Sequence, residues 1–388
     1  MQNILLLDDG GTQVLPVAKS LSRLGYCVHM VYCSKLTYGY PSRFIKKRYL
    51  FTEMSNIDAF GEFVLTVLSK EKFETVIPLD DNSAEVVSKF REEIKKYCDV
   101  IVPSYDVFKA GFDKHSLMAL CQKNGFPHPP TTLVEGGAIN DVDLDSLLFP
   151  ILIKPNHTCG GRGMTRVNTK NELLEAFPLV YKEYGDCHLQ SYIPPGGAQV
   201  EVQLYINEKK ELKQSSVIYK YRWYPESGGS SCCNVSHDDN GIVGVCYNIL
   251  KKLNWVGFAD FDTIQDPRTG KLLVMEINPR LPACVKTAFV AGINWGDVLV
   301  SEYKGRPHPF YKRGKTVYLR HLGMEALWFY YSKNRFKTKP SWFNFFGRRI
   351  YYQDMSCFSD PLPFIYGTIG NIKKQFSSDF RKAKSGTY

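Results

Sequence analysis

Trp255-Val-Gly-Phe-Ala-Asp-Phe-Asp262 runs through Asp266-Pro-Arg-Thr-Gly270 into Lys271-Leu-Leu-Val-Met-Glu-Ile-Asn-Pro-Arg280. The middle piece is a turn by composition and the flanks alternate, so the stretch predicts a β-hairpin. A turn centred near Thr269 sets Asp262 opposite Glu276. Period-two alternation then puts Glu276 and Asn278 on one face, with Met275 and Ile277 on the other. Like charges facing each other across a sheet destabilise it unless something neutralises them. Two carboxylates and an amide oxygen converging on one point suit a hard, oxygen-seeking cation such as Mg²⁺ or Mn²⁺. Arg280, further along the same face, is placed to meet whatever anion the metal carries. An isolated Asp/Glu pair is usually a solvated surface hairpin; the motif upstream argues against that here.

That motif is Phe149-Pro-Ile-Leu-Ile-Lys-Pro155 followed by Asn156-His-Thr-Cys-Gly-Gly-Arg-Gly-Met164. Ile151 to Ile153 read as a buried strand ending in Lys154. The loop after it carries Gly160, Gly161 and Gly163. Glycines let backbone N–H groups approach phosphate oxygens, and the lysine adds a fixed charge beside them. The lysine precedes the glycines and no GK[ST] follows, so this is not a P-loop, nor is it a dinucleotide fingerprint.

Taken together these segments resemble the ATP-grasp enzymes, the superfamily of biotin carboxylase, carbamoyl-phosphate synthetase and D-alanine–D-alanine ligase. The resemblance covers residues 1 to about 305 and rests on five short motifs in the family's order. Phe112-Asp-Lys114 opens a helix ending at Gly125-Phe-Pro-His-Pro129, and Lys114 is implied to contact ATP phosphate. Lys154 is implied to hold the α- and β-phosphates. Gly160-Gly161-Arg162-Gly163-Met164 corresponds to the phosphate lid. Leu189-Gln190-Ser191-Tyr192-Ile193 corresponds to the hinge that holds adenine, with Gln190 replacing the usual Glu, so that its amide oxygen would meet the exocyclic amine. Glu201, in Gln199-Val-Glu201, corresponds to the residue that binds the ribose hydroxyls. Asp262, Glu276 and Asn278 correspond to the metal ligands, with Asp262 shorter than the usual Glu. Tyr219-Lys-Tyr-Arg222 before Gly228-Gly-Ser-Ser231 resembles the loop beside the acyl-phosphate site, where Arg222 would orient a carboxylate or, equally, form a structural ion pair.

The resemblance implies an α/β and α+β chain, with a Rossmann-like pre-ATP-grasp domain followed by a two-lobed ATP-grasp domain. It implies an ADP-forming carboxylate–amine ligase working through an acyl phosphate, with Arg280, Lys154 and Arg222 as catalytic residues. ATP and Mg²⁺ are the implied cofactors. The substrates would be a small-molecule or lipid-linked carboxylate and an amine acceptor, in the setting of a surface-polysaccharide or cell-wall precursor. A homodimer is left open. The alternatives are a non-catalytic ATP-binding protein and a membrane-associated assembly protein on the same fold.

The 388 residues are enough for several packed domains. No apolar run reaches the length of a membrane span, and Leu5 to Leu7 read as a buried strand instead of a signal sequence. The 11 cysteines are odd in number and lack C-x-x-C spacing, so the expectation is reduced, cytoplasmic thiols used mainly as small core residues. Cys159, in the lid, is most simply a loop filler.

Four regions follow. Residues 1–105 alternate strand and helix, with strands expected at Asn3–Leu7, Cys27–Tyr32, Thr75–Pro78 and Val100–Val102. Gly10-Gly11, Arg43 and Asp80-Asp81 fall at the edge where open sheets bind ligands, although Asp80 and Asp81 also suit a helix cap. Residues 106–188 form the small lobe and 189–309 the large lobe. Residues 310–388 form a basic, aromatic extension, with 15 Lys+Arg against 4 Asp+Glu, while the other 309 residues carry 34 against 35. That stretch holds 20 of the 53 aromatics. Its partner could be a packed core, an anionic membrane surface at the inner face, or single-stranded nucleic acid. No nucleic-acid-binding motif supports the last.

Overall fold

The computed structural model describes residues 2–156, 163–226 and 229–376. The first region is a parallel sheet of β1 (Asn3–Asp8), β2 (Cys27–Tyr32), β3 (Ile45–Leu50) and β4 (Thr75–Pro78), in the order β3-β2-β1-β4. Strand β1 is buried on both faces, as a central parallel strand must be. Ile4 and Leu6 pack towards the helices Val14–Arg23 and Trp295–Tyr303, while Leu5 and Leu7 pack towards Ile57–Lys70. The sequence did not predict β3, an edge strand whose middle carries the cations Lys46, Lys47 and Arg48. Val100–Val102 lies outside the strands, contrary to expectation; only a bridge from Asp99 to Thr75 touches the sheet there.

The small lobe is an antiparallel sheet of β5 (Thr131–Leu133), β6 (Ile151–Pro155), β7 (Thr165–Val167) and β8 (Cys187–Ser191), ordered β5-β8-β6-β7 and covered by the helix Lys170–Tyr184. Because β8 runs through Ser191, the lobe ends a few residues beyond the expected boundary at 188.

The large lobe is a seven-stranded sheet in the order β13-β12-β9-β10-β11-β14-β15. Its strands are β9 (Gln199–Ile206), β10 (Leu212–Tyr224), β11 (Ser230–His237), β12 (Gly257–Gln265), β13 (Leu272–Asn278), β14 (Tyr318–Arg320) and β15 (Ile350–Tyr352). Alternation in β9 sends Val200, Val202, Leu204 and Ile206 into the core beneath the sheet and leaves Gln199, Glu201 and Gln203 on the other face.

Residues beyond 310 do not form the separate extension that the sequence suggests. β14 and β15 complete the large-lobe sheet, and a buried ion network fastens the region to β10. Glu325, on the helix Leu322–Tyr331, accepts from Arg222 Nη2 at 2.6 Å and from Arg320 Nε at 3.0 Å, all three side chains being buried. No described helix is long and apolar enough to cross a membrane. All the described cysteines are free thiols, seven of them buried as small side chains.

Candidate active site

One cavity of 1380 Å³ lies between the three regions, larger than the roughly 300–1,000 Å³ of an ordinary single-ligand pocket. One end is lined by the small lobe: Lys154, Met164 and the hinge residues Gln190, Ser191, Tyr192 and Ile193, together with Lys114. Of the lid, Gly163 has φ +72°, a backbone that favours glycine, and Met164 reaches the cavity. Gly160, Gly161 and Cys159 lie outside the described residues.

Lys154 is held by sheet register. β6 pairs with β8 antiparallel, Leu152 facing Gln190 and Lys154 facing His188, so Lys154 and Gln190 are diagonal neighbours on one face. The ammonium donates to Gln190 Oε1 at 3.0 Å, and Gln190 Nε2 donates to Thr131 Oγ1 at 3.2 Å. The amide oxygen expected to meet adenine is therefore occupied by Lys154, which leaves the backbone of Ser191 to Ile193 as the hinge surface. Burial, then the Lys114 charge, push the Lys154 ammonium down to about 8, opposed by Glu276. Burial likewise lowers His188, followed by the charge of Lys154, so His188 is a neutral ring; its Nδ1 lies 2.8 Å from Asn156 Oδ1.

The predicted hairpin is present. Asp262 pairs with Glu276 and Asp260 with Asn278. One detail differs: Thr263 pairs with Val274, which leaves Met275 as the extra residue of a bulge. Val274 and Ile277 therefore share the core, while Met275 turns to line the cavity, against the strict alternation expected. The register runs on across the sheet through Glu201, which pairs with Asp262 from β9. Glu201, Asp262 and Glu276 thus form one row of carboxylates. Glu201 lies in this row and lines the same cavity as the hinge residues.

Two lysines neutralise the row. Lys220 Nζ lies 2.7 Å from Glu201 Oε1 and 2.8 Å from Asp262 Oδ1. Lys114 Nζ, on a helix capped by Asp113 and seated through Leu117, Met118 and Cys121 on the core under β12 and β13, lies 3.3 Å from Glu276. Burial alone would discharge Lys220, but Asp262 and Glu201 raise it well above its ordinary value. Burial pushes Asp262 up, and the Lys220 charge and hydrogen bond outweigh it, holding the carboxyl below the usual range. Cys284 donates its thiol to the second oxygen of Glu201. Asn278 Nδ2 donates to Asp262 Oδ2 at 3.2 Å, and its oxygen accepts from Arg280 at 3.4 Å.

Arg280 joins the hairpin to the first domain, donating to Asp81 Oδ1 at 2.9 Å. Burial would lower its charge, but Asp81 and Asp260 raise it. Of the two roles foreseen for Asp80 and Asp81, Asp80 takes the cap, with Ser83 on the helix Asp81–Lys89, while Asp81 lines the cavity as the partner of Arg280. Gly10 and Gly11 line the cavity, but Arg43 instead binds the carbonyl of Ser359.

Arg222 takes the structural ion pair of its two expected roles, with Glu325, and not the carboxylate-orienting one. Alternation would put Lys220 and Arg222 on one face, but β10 shifts register between them: Lys220 pairs with Asn234 and Arg222 with Cys233. Arg222 is thereby turned away from the cavity and is buried against Glu325, Thr338, the carbonyl of Pro340 and the ring of Trp328. It is a structural cation. Lys220, two residues earlier, is the cavity cation that the sequence reading passed over. Asp260 was overlooked too; it lines the cavity, and its buried Oδ1 has no hydrogen-bond partner.

No group of three or more His, Cys, Asp or Glu among the described residues is close enough to hold a metal by itself. Mg²⁺ commonly takes only one or two protein carboxylates and completes its shell with water and phosphate. Asp262, Glu276 and Asn278, adjacent in register and matched by lysine charge, fit that smaller demand.

No family model matches the chain. The D-aspartate ligase of Enterococcus faecium is 24% identical over 229 residues, 54% of this chain and 54% of that protein. The chain thus spans about half the length of this curated relative. Among solved structures, the biotin carboxylase of Campylobacter jejuni in complex with β,γ-ATP has a TM-score of 0.66 at 16% identity, covering 81% of this chain and 74% of that one. The L-amino acid ligase of Bacillus licheniformis has a TM-score of 0.60 at 17% identity, covering 78% and 74%.

Proposed function

Because this chain has the ATP-grasp fold, we propose that it is an ADP-forming ligase that joins a carboxylate to an amine through an acyl phosphate. The observation that carries this is the single cavity in which the phosphate-type lysines, the carboxylate row and Arg280 meet in order. Lys154 and Lys114 hold the phosphates, and the backbone from Ser191 to Ile193 borders the base. Asp262, Glu276 and Asn278 would hold Mg²⁺, which supplies charge neutralisation at the transferring phosphoryl group. A carboxylate oxygen of the first substrate attacks the γ-phosphorus and ADP leaves. The amine nitrogen then attacks the acyl carbonyl, loses a proton and expels phosphate. Arg280, tied to Asp81 and Asn278, stands where negative charge develops in both steps. Lys220 keeps Asp262 ionised and in place.

The likeness to a D-aspartate ligase and an L-amino acid ligase supports an amino acid as one substrate, and a surface-polymer precursor is the proposed setting. Screening amino acids and uronic acids in pairs for ADP release tests the reading. ATP that binds without any acceptor-dependent turnover would sink it and favour the non-catalytic alternative.

A specific observation also favours a peripheral place at an anionic membrane. On the helix Leu362–Gln375 and just after it, Leu362, Ile365, Ile369, Ile372 and Phe376 recur at helical spacing and are between 47% and 79% exposed. Lys373 and Lys374 lie beside this stripe, in the region with net charge +11. The stretch from Lys333 to Lys339 is less suited, because Arg335 is tied to the carbonyls of Phe329 and Tyr330. Vesicles containing anionic lipid should bind the chain at low salt, and Ile369→Asp with Ile365→Asp should abolish binding without loss of ATP binding. Indifference of the unaltered chain to such vesicles would remove this reading.

A further inference from the structure

The end of the cavity away from the hinge is walled by two parts of the chain far apart in sequence. The first domain supplies Asp9, Thr12 and Tyr38; the C-terminal region supplies His321, Gln353, Asp354 and Asn371. Direct bonds lock the two walls together. Gln353 Nε2 donates to Thr12 Oγ1 at 2.8 Å, and Asn371 Nδ2 donates to the Tyr38 hydroxyl at 2.9 Å. Behind them, Asp360 accepts from Ser42 Oγ at 2.7 Å and from the Arg43 amide at 2.9 Å. This closure is made by residues beyond about 305, which the sequence resemblance did not reach.

Asp354 is a buried carboxylate here that the fold leaves half satisfied. It is 1% exposed and lines the cavity. Oδ2 accepts from the Leu322 amide at 3.2 Å and faces His321 at 3.6 Å, whereas the buried Oδ1 has no hydrogen-bond partner. Leaving a buried carboxylate oxygen unmatched is costly, and such groups normally find a donor. Asp9, exposed on the facing wall three residues before Thr12, adds a second carboxylate, and Asp81 lies nearby on Arg280. Lys374 lines the same end and, with Arg280, offsets Asp9, so it is the buried Asp354 oxygen left without a donor that selects a ligand bringing N–H groups.

We infer that this end is the subsite of the amine substrate, and that the C-terminal region is its specificity wall: the amine donates its N–H groups to Asp354, with Asp9 on the facing wall, and leaves its extra proton with these carboxylates before its lone pair reaches the centre at Arg280. The assignment rests on the ligase reading and names which substrate sits where. The carboxylate partner is then left to Arg280, the cation at the junction of the two ends. The apolar side chains Leu322, Met324, Leu327 and Phe364 on the same wall offer contact to an aliphatic part of the amine.

The test is calorimetric, on the full chain saturated with ADP and Mg²⁺, using a panel of amino-acid amides and cadaverine as probes that carry an amine but no α-carboxylate. At least one should bind, and Asp354→Asn should weaken it by about tenfold or more, the scale of a lost charged hydrogen bond, with ADP affinity unchanged. Asn keeps an oxygen for the Leu322 amide. Should that variant fail to fold, Asp9→Asn, at an exposed position, decides through the same loss. Amine binding equal to wild type in both variants, or no amine binding by a wild type that binds ADP, overturns the subsite alone. A wild type that does not bind ADP overturns the ligase reading and the subsite with it.

Discussion

Lys154 and Lys220 are both buried ammonium groups on the wall of one cavity, one on the small-lobe sheet and one on the large. Their surroundings are opposite. Lys220 sits between two carboxylates at 2.7 and 2.8 Å and is raised well above its ordinary value despite burial. Lys154 has one amide oxygen at 3.0 Å and is pushed down to about 8. A cation already matched by two anions is part of the scaffold, while one matched only by a dipole gains most from an incoming anion. The small lobe thus presents a cation open to an incoming anion, and the large lobe a row of carboxylates whose own repulsion is already offset.

The sharpest way to break this comparison is to remove each lysine. Lys220→Met leaves Glu201 and Asp262 buried without their cation, so urea unfolding should show a loss of about 3–5 kcal/mol. A variant as stable as the wild type would mean that the row is neutral by protonation instead. Next comes Glu276→Gln, which keeps shape and ends the row's charge at its more open end. Turnover of ATP should fall by about a hundredfold, as when a major electrostatic stabiliser is lost, with unchanged melting. Near-normal turnover would remove the metal assignment.

Lys154→Met should behave unlike Lys220→Met. The buried charge costs stability in the free protein, so thermal melting should be no lower, while calorimetry should show ATP binding weakened by about tenfold or more. Normal ATP affinity would move the phosphates elsewhere. The smallest effect is in pH. Below about 8 Lys154 is charged when folded, and between about 8 and its ordinary 10.5 the unfolded chain holds the proton more tightly. The contribution of this group to stability therefore rises with pH across that window. In the same window ATP binding should take up protons, measurable by titration in buffers of different ionisation heat. No proton uptake above pH 8 would show that Lys154 is already fully charged.

The hairpin from Trp255 to Arg280 and the Ile151–Lys154 strand were legible because strand alternation and a short turn fix which side chains meet. Asp262 faces Glu276 by local register alone. The same rule failed at Arg222 and Met275, where a local shift of register turns the side chain off the face that alternation predicts. It also hid Lys220, whose importance comes from Glu201 on β9 and Asp262 on β12, neither of them a sequence neighbour. The C-terminal region read as a basic extension since charge and aromatics are countable in sequence. That Arg222 and Arg320 spend their charge on buried Glu325 is not.

The sequence by itself determined the hairpin with its paired acids, the buried strand that carries Lys154 and the parallel sheet around β1, because each is set by contacts within a few residues or by a repeating period. Only the tertiary structure decided which buried lysine is matched and which is open, which face Arg222 takes, and that residues 318–376 wall the cavity opposite Asp9 and Tyr38. Those outcomes depend on bulges and on contacts across hundreds of residues, where a side chain's charge and hydrogen bonds are fixed by what the folded chain brings beside it.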